Sequence, residues 1–261
     1  MKKGLLSLSF LLFGIFMVSL VWAFPVSPVG VYWDLQVSYG SDNETLDQDS
    51  DSYLTPSIPH AYEVPQAEEL EIFDDGDFFY AYSMYDAAAD SLSVEATGFA
   101  DSSYSDGNDW YYALAKVAVG SNPFSGATIF TLSFDWSYEI GLFDATDEGK
   151  VGYAVGLIDW TETTDPDDPV FVHQEAVFFD DPGSDSGHYE NSWSLDPSHE
   201  YIFGVGLLAL AEGYEATDGA DSFIEISNLS ANAVPEPATA LLAGVGILMV
   251  ATLRGRFRKR S

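Results

Sequence analysis

Apolar and polar positions alternate along most of this chain, in short stretches separated by turn residues. The sharpest stretch is Phe130-Thr131-Leu132-Ser133-Phe134-Asp135-Trp136, where apolar side chains take one face and polar ones the other. Leu92, Val94 and Ala96 repeat the period. The pattern predicts strands near Val29–Val37, Phe78–Tyr85, Ser91–Phe99, Tyr111–Val119 and Ala127–Trp136. It predicts five more near Val151–Trp160, Val170–Phe179, Tyr189–Ser194, Glu200–Leu210 and Ser222–Ala231. Breakers such as Asp106-Gly107-Asn108, Asp147-Glu148-Gly149, Asp165-Pro166-Asp167 and Asp181-Pro182-Gly183 lie between them. Short strands without βα alternation predict an all-β fold, a two-sheet sandwich of jelly-roll or Greek-key type.

Residues 38–77 break the rhythm. They are crowded with acids and carry Pro56, Pro59 and Pro65, which predicts a long acidic loop at the edge of the sandwich. Further on, Leu195-Asp196-Pro197-Ser198-His199-Glu200-Tyr201 has the Leu-x-Pro-x-x-x-Tyr spacing of the corner in fibronectin-III-like sandwiches. The resemblance implies that Tyr201 bonds back to the preceding crossover and ties the two sheets together.

The two ends follow a different pattern. Lys2 and Lys3 precede an apolar stretch from Gly4 to Leu20, and Val21-Trp22-Ala23 follows with Pro25 just beyond. This predicts a secretory signal peptide over residues 1–23, cut after Ala23, with an uncleaved anchor as the alternative. At the other end Ala238–Leu253 is an uncharged run of 16 residues. As a helix it spans about 24 Å, somewhat less than the roughly 30 Å hydrocarbon core, a gap that thinning or snorkelling can close. The run ends in Arg254, Arg256, Arg258, Lys259 and Arg260. Cations beside a span stay on the cytoplasmic side, which places residues 24–233 across the membrane.

Val234-Pro235-Glu236-Pro237, the apolar run and the basic end together resemble the PEP-CTERM sorting signal of Gram-negative bacteria, here covering residues 234–261. The resemblance implies that a membrane-embedded exosortase recognises the tail after Sec-type export. It implies cleavage near the motif and transfer from an inner-membrane intermediate, with its ectodomain in the periplasm, to the cell surface or extracellular matrix.

Between the ends, residues 24–233 hold 41 acids against Lys116 and Lys150 alone, a net charge of −39. That excludes nucleic acid as a partner and disfavours an anionic membrane surface. Aromatic and aliphatic residues are too abundant for a disordered acidic tail. With no cysteine, the chain has no thiol nucleophile, no disulfide and no thiolate metal site.

Little else carries recognisable chemistry. Asp47-Gln48-Asp49-Ser50-Asp51 opens like a calcium loop, but Ser52 and Ile58 stand where glycine and glutamate are needed. Asp165, Asp167 and Asp168, or Asp180 and Asp181, are candidates for a looser calcium site, against solvated carboxylates as the plainer reading. His60, His173, His188 and His199 lack metal-ligand spacing. Gly183-Ser184-Asp185-Ser186-Gly187 is no nucleophile elbow and reads as a turn. Trp110-Tyr111-Tyr112 and Phe78-Phe79-Tyr80-Ala81-Tyr82 put rings on both faces of a strand, where they either fill the core or stack on sugars.

The expectation is a non-enzymatic exported surface or matrix protein needing no cofactor. The alternatives are a carbohydrate- or calcium-binding module in contact with extracellular polysaccharide, or a secreted hydrolase working through paired acids.

Overall fold

The computed structural model describes residues 23–41, 44–55, 66–74, 77–99, 109–142, 147–166, 168–214 and 219–235. The predicted apolar span 238–253, the basic tail, Glu236, Pro237 and the signal stretch before Ala23 lie outside them. Ala23 itself is exposed, just ahead of the first strand.

The strands are β1 (Phe24–Pro25), β2 (Pro28–Ser41), β3 (Glu44–Thr55), β4 (Gln66–Asp74), β5 (Asp77–Asp86), β6 (Ser91–Phe99) and β7 (Asp109–Ser121). They continue as β8 (Phe124–Ser125), β9 (Ala127–Leu142), β10 (Glu148–Asp159), β11 (Phe171–Phe179), β12 (Gly183–Ser194), β13 (Glu200–Tyr214) and β14 (Gly219–Pro235). All pairings are antiparallel. One sheet runs β12-β9-β14-β6-β5-β4, with β1 on β14; the other runs β11-β10-β13-β7-β2-β3, with β8 on β13. Within them, β6-β14-β9-β12 faces β7-β13-β10-β11, which is the interleaved order of a jelly roll.

Each of the ten predicted strands falls on an observed one. The predicted loop over 38–77 does not hold: β2 runs on to Ser41, β5 begins at Asp77, and β3 and β4 lie between. Both are edge strands. Charge is a common guard on exposed sheet edges, so acid density here marks an edge and not a loop. The Asp47–Asp51 run lies inside β3, paired with β2 from Tyr39 to Leu35, and so forms no calcium loop. Gly183–Gly187 is likewise the start of β12 and not a turn.

The alternation along each strand fills the space between the sheets. From β9, Phe130, Leu132 and Phe134 are fully buried, and Leu157, Phe203, Ile224 and Ile226 meet them from other strands. Phe130 touches Phe124, Phe203 and Trp193 at ring distances of 5.1, 5.5 and 5.9 Å. Tyr111 wedges between the layers, its ring 5.8 Å from Phe79 and its hydroxyl donating to Asp147 at 3.1 Å.

Two local devices shape the ends. Gly126, between β8 and β9, has φ +75°, a conformation only glycine takes without strain. The corner at Tyr201 is as its spacing implies. The hydroxyl accepts the Asp196 N–H at 2.9 Å and donates to the Asp196 carbonyl at 3.3 Å. Tyr201 is 3% exposed, so Tyr201→Phe leaves a backbone amide unpaired beside the core. Urea unfolding should show a loss of about 1–1.5 kcal/mol; an unchanged midpoint would mean that the corner carries no stability.

The two outer faces differ sharply. On the sheet holding β9 and β14, outward positions on these two strands include Ser, Thr and the acids Asp135, Glu139, Asp221 and Glu225, beside Ile129 and Phe223. On the sheet holding β10 and β13, outward positions are mostly small or apolar: Ala154, Gly156, Gly204, Gly206, Leu208 and Ala118. Both lysines of the domain are on this second face.

Candidate functional site

The β5 sequence alternates a buried set with an outward one. Phe79, Ala81, Ser83 and Tyr85 are buried. Phe78, Tyr80 and Tyr82 therefore point away from the core, each half-exposed. Their rings form a row, with centroids 5.9 Å apart and 18° between planes for Phe78 and Tyr80, and 6.1 Å and 9° for Tyr80 and Tyr82.

Carboxylates frame this strip. Tyr80 lies opposite Glu71 on β4 and Thr97 on β6, and Tyr82 lies opposite Glu69 and Glu95. Partial burial, reinforced by Glu95, Glu69 and Glu71, pushes the Tyr80 hydroxyl up to about 12. Burial also raises Tyr82, with help from Glu69 and Glu95. Glu95 titrates above the usual carboxylate range, first through burial and then through Asp221 nearby. Thr97 donates to Asp221 at 2.9 Å, which fixes the carboxylate beside the row. The strip thus offers aromatic surface, neutral hydroxyl donors and carboxylate acceptors side by side.

The other aromatic stretch goes elsewhere. Tyr111 is a core residue, while Tyr112 faces outward on the opposite sheet. Phe79 and Tyr111 bring the two stretches together inside the core.

The described candidate calcium ligands fall at the two ends of β11. Asp165 and Asp168 lie before β11, Asp180 and Asp181 after it, all exposed, and Asp167 is outside the described residues. Among the described residues no group of three or more His, Asp or Glu side chains could hold a metal ion. The described histidines lie beside acids, His188 also within 3.8 Å of Glu190 and His199 within 3.9 Å of Glu162, while His60 is outside the described residues. His188 is 2.7 Å from Asp135, His199 is 2.7 Å from Asp159, and His173 is 3.3 Å from Glu175. The hydrogen bond to Asp159 raises the titration of His199. Asp159 also accepts the amides of Thr161 and Glu162, so this cluster closes the turn after β10. Of the sorting motif, Val234 and Pro235 form the last two positions of β14, and the Val234 carbonyl accepts Thr128 Oγ1 at 3.3 Å.

Sequence reasoning found the rings but missed two thirds of their frame. Glu69 and Glu71 lay in the supposed loop, and only the hairpin pairing of β4 with β5 shows where they belong.

No family model matches the chain, and no curated protein does. Among solved structures it is similar to a bacteriophage tailspike enzymatically active domain, at 11% identity and TM-score 0.23, over 64% of this chain and 19% of that one. It is similar to a cleaved adhesin domain of Lys-gingipain from Porphyromonas gingivalis, at 10% identity and TM-score 0.22, over 54% of this chain and 74% of that one. It is also similar to a family 11 carbohydrate-binding module from Clostridium thermocellum, in complex with a β-1,3-1,4-mixed-linked tetrasaccharide. That match has 10% identity and TM-score 0.20, over 77% of this chain and 97% of that one. Overlap this low carries no argument about activity; what stands is an all-β chain of two antiparallel sheets packed as a sandwich.

Proposed function

We propose that this chain is an exported, non-enzymatic surface or matrix protein whose sandwich holds a neutral polysaccharide on the outer face of β4, β5 and β6. The observation that carries the reading is the row Phe78, Tyr80 and Tyr82 framed by Glu69, Glu71 and Glu95. Sugar rings present C–H faces to aromatic side chains and hydroxyls to carboxylates, so one strip serves both needs. The polymer is neutral because this sheet face has no lysine or arginine to balance an anionic one.

Delivery follows from the two ends. The signal peptide directs export, the apolar run holds the inner-membrane intermediate, and exosortase acts on the tail at Val234, Pro235, Glu236 and Pro237. The support is the order motif, apolar run, basic end.

Affinity electrophoresis through gels loaded with neutral glucans or mannans tests the binding. If each ring contributes about 1 kcal/mol, Tyr80→Ala with Tyr82→Ala should weaken retardation roughly 30-fold. Unchanged retardation with a folded double variant would remove the strip from the reading. Replacing Pro235-Glu236-Pro237 by alanines in the native host should trap the protein in the membrane fraction; arrival outside at normal size would refute the sorting step.

A further inference from the structure

We infer that the outer face of the sheet holding β10, β13 and β7 is where two copies of this chain pair, face to face. The first ground is charge. The domain carries a net −39, so two copies repel almost everywhere they could touch. This face comes nearest to balance: Lys116 and Lys150 stand against Asp34, with Glu148 and Glu212 at one end and Glu200 at the other. Lys116 pairs with Asp34 at 2.8 Å, and Lys150 sits 4.8 Å over the Phe178 ring. Both cations are engaged within the face, which leaves no positive patch for an anionic polymer. Between those ends the remaining outward positions are uncharged and mostly small or apolar, and can meet their own image about a two-fold axis.

The second ground is apolar exposure. Phe178 is 51% exposed, Phe171 42% and Tyr32 39% on this side of the molecule, against Phe99 at 43% and Ile129 at 42% on the other sheet. Soluble monomers seldom leave several such residues together on one sheet face.

The third is a row of glycines that the fold does not itself require. Gly156, Gly204 and Gly120 stand in register across β10, β13 and β7. A methyl group at these positions would meet nothing nearer than Phe171 Cε1 at 3.5 Å, Val119 O at 3.6 Å and Phe203 O at 3.6 Å. Glycine weakens a strand interior, and close approach of another backbone is one of the few reasons to keep it there. Five strands and five outward positions per strand give roughly 20 Å by 27 Å. That is on the order of 500 Å² a copy and 1,000 Å² in a pair, at the lower bound for a specific interface.

The absence of cysteine makes the test direct. Single-cysteine variants of the full chain, Ala118→Cys, Ala154→Cys, Gln174→Cys and Ala176→Cys, sample this face; Ser137→Cys and Ser192→Cys sample the opposite sheet. After mild oxidation of the exported material, non-reducing gels should show a band of doubled mass for at least one of the first four and for neither of the last two. Adding Ala154→Arg to the crosslinking variant should abolish the band without changing the exported amount. Added salt should raise the crosslinked fraction, since it screens the repulsion between copies. Doubled bands from none of the four, or equally from Ser137→Cys and Ser192→Cys, would overturn the pairing. So would a crosslinked fraction that falls with salt.

Discussion

Tyr111→Ala is expected to lower the unfolding free energy by about 4 kcal/mol, the middle of the range for truncating a large buried aromatic. Tyr111 is 2% exposed and lies on β7, yet its ring reaches Phe79 of the opposite sheet. Its removal leaves a void between the layers that the flanking strands cannot close, because ladders on both sides fix their spacing. It also takes from the buried Asp147 a hydroxyl donor at 3.1 Å. Burial and this carboxylate hold the Tyr111 hydroxyl far above its ordinary titration range, so it remains a donor at any pH the protein meets. Urea unfolding followed by tryptophan fluorescence measures the effect. A loss under 2 kcal/mol would show that the layers collapse onto the gap, as the more adaptable core sites do.

Gly98→Ala is expected to cost about 1–3 kcal/mol, the usual penalty of an overfilled core. Gly98 faces the Tyr111 ring from β6, and a methyl group there would overlap Cδ2 and Cε2 of that ring. The side chain cannot swing away, since Gly213 bounds the ring on the other side and a methyl group there would meet it as well. The two substitutions are therefore coupled. With alanine at position 111 the clash is gone, and Gly98→Ala should become neutral or slightly stabilising, because alanine is better than glycine in a strand interior. The double-mutant cycle should return a coupling of at least about 1 kcal/mol. Additive losses would mean that Gly98 is held by something other than the ring.

How far the sequence reveals these features depends on the range of the interactions that set them. The sandwich was legible because alternation is local: Phe130, Leu132 and Phe134 declare their shared face without reference to any other strand. The Tyr201 corner was legible for the same reason, as its partner Asp196 is five residues away. Strands β3 and β4 were not, because acids obscure alternation and edge strands tolerate them. The ring strip was half legible. Phe78, Tyr80 and Tyr82 alternate with Phe79, Ala81 and Ser83, but aromatic residues occupy both sets, and only packing decides which set meets solvent. Nor could composition show that both lysines share one face, since that follows from strand order.

The sorting motif begins on β14, and β14 is an interior strand, held by β9 on one flank and β6 on the other. Antiparallel ladder bonds lie across the strand axis. Tension applied at Pro235 runs along that axis and loads the bonds on both flanks together, in shear, where a pull on an edge strand would peel them one by one. A domain suspended from this end hangs by one of its most strongly gripped strands.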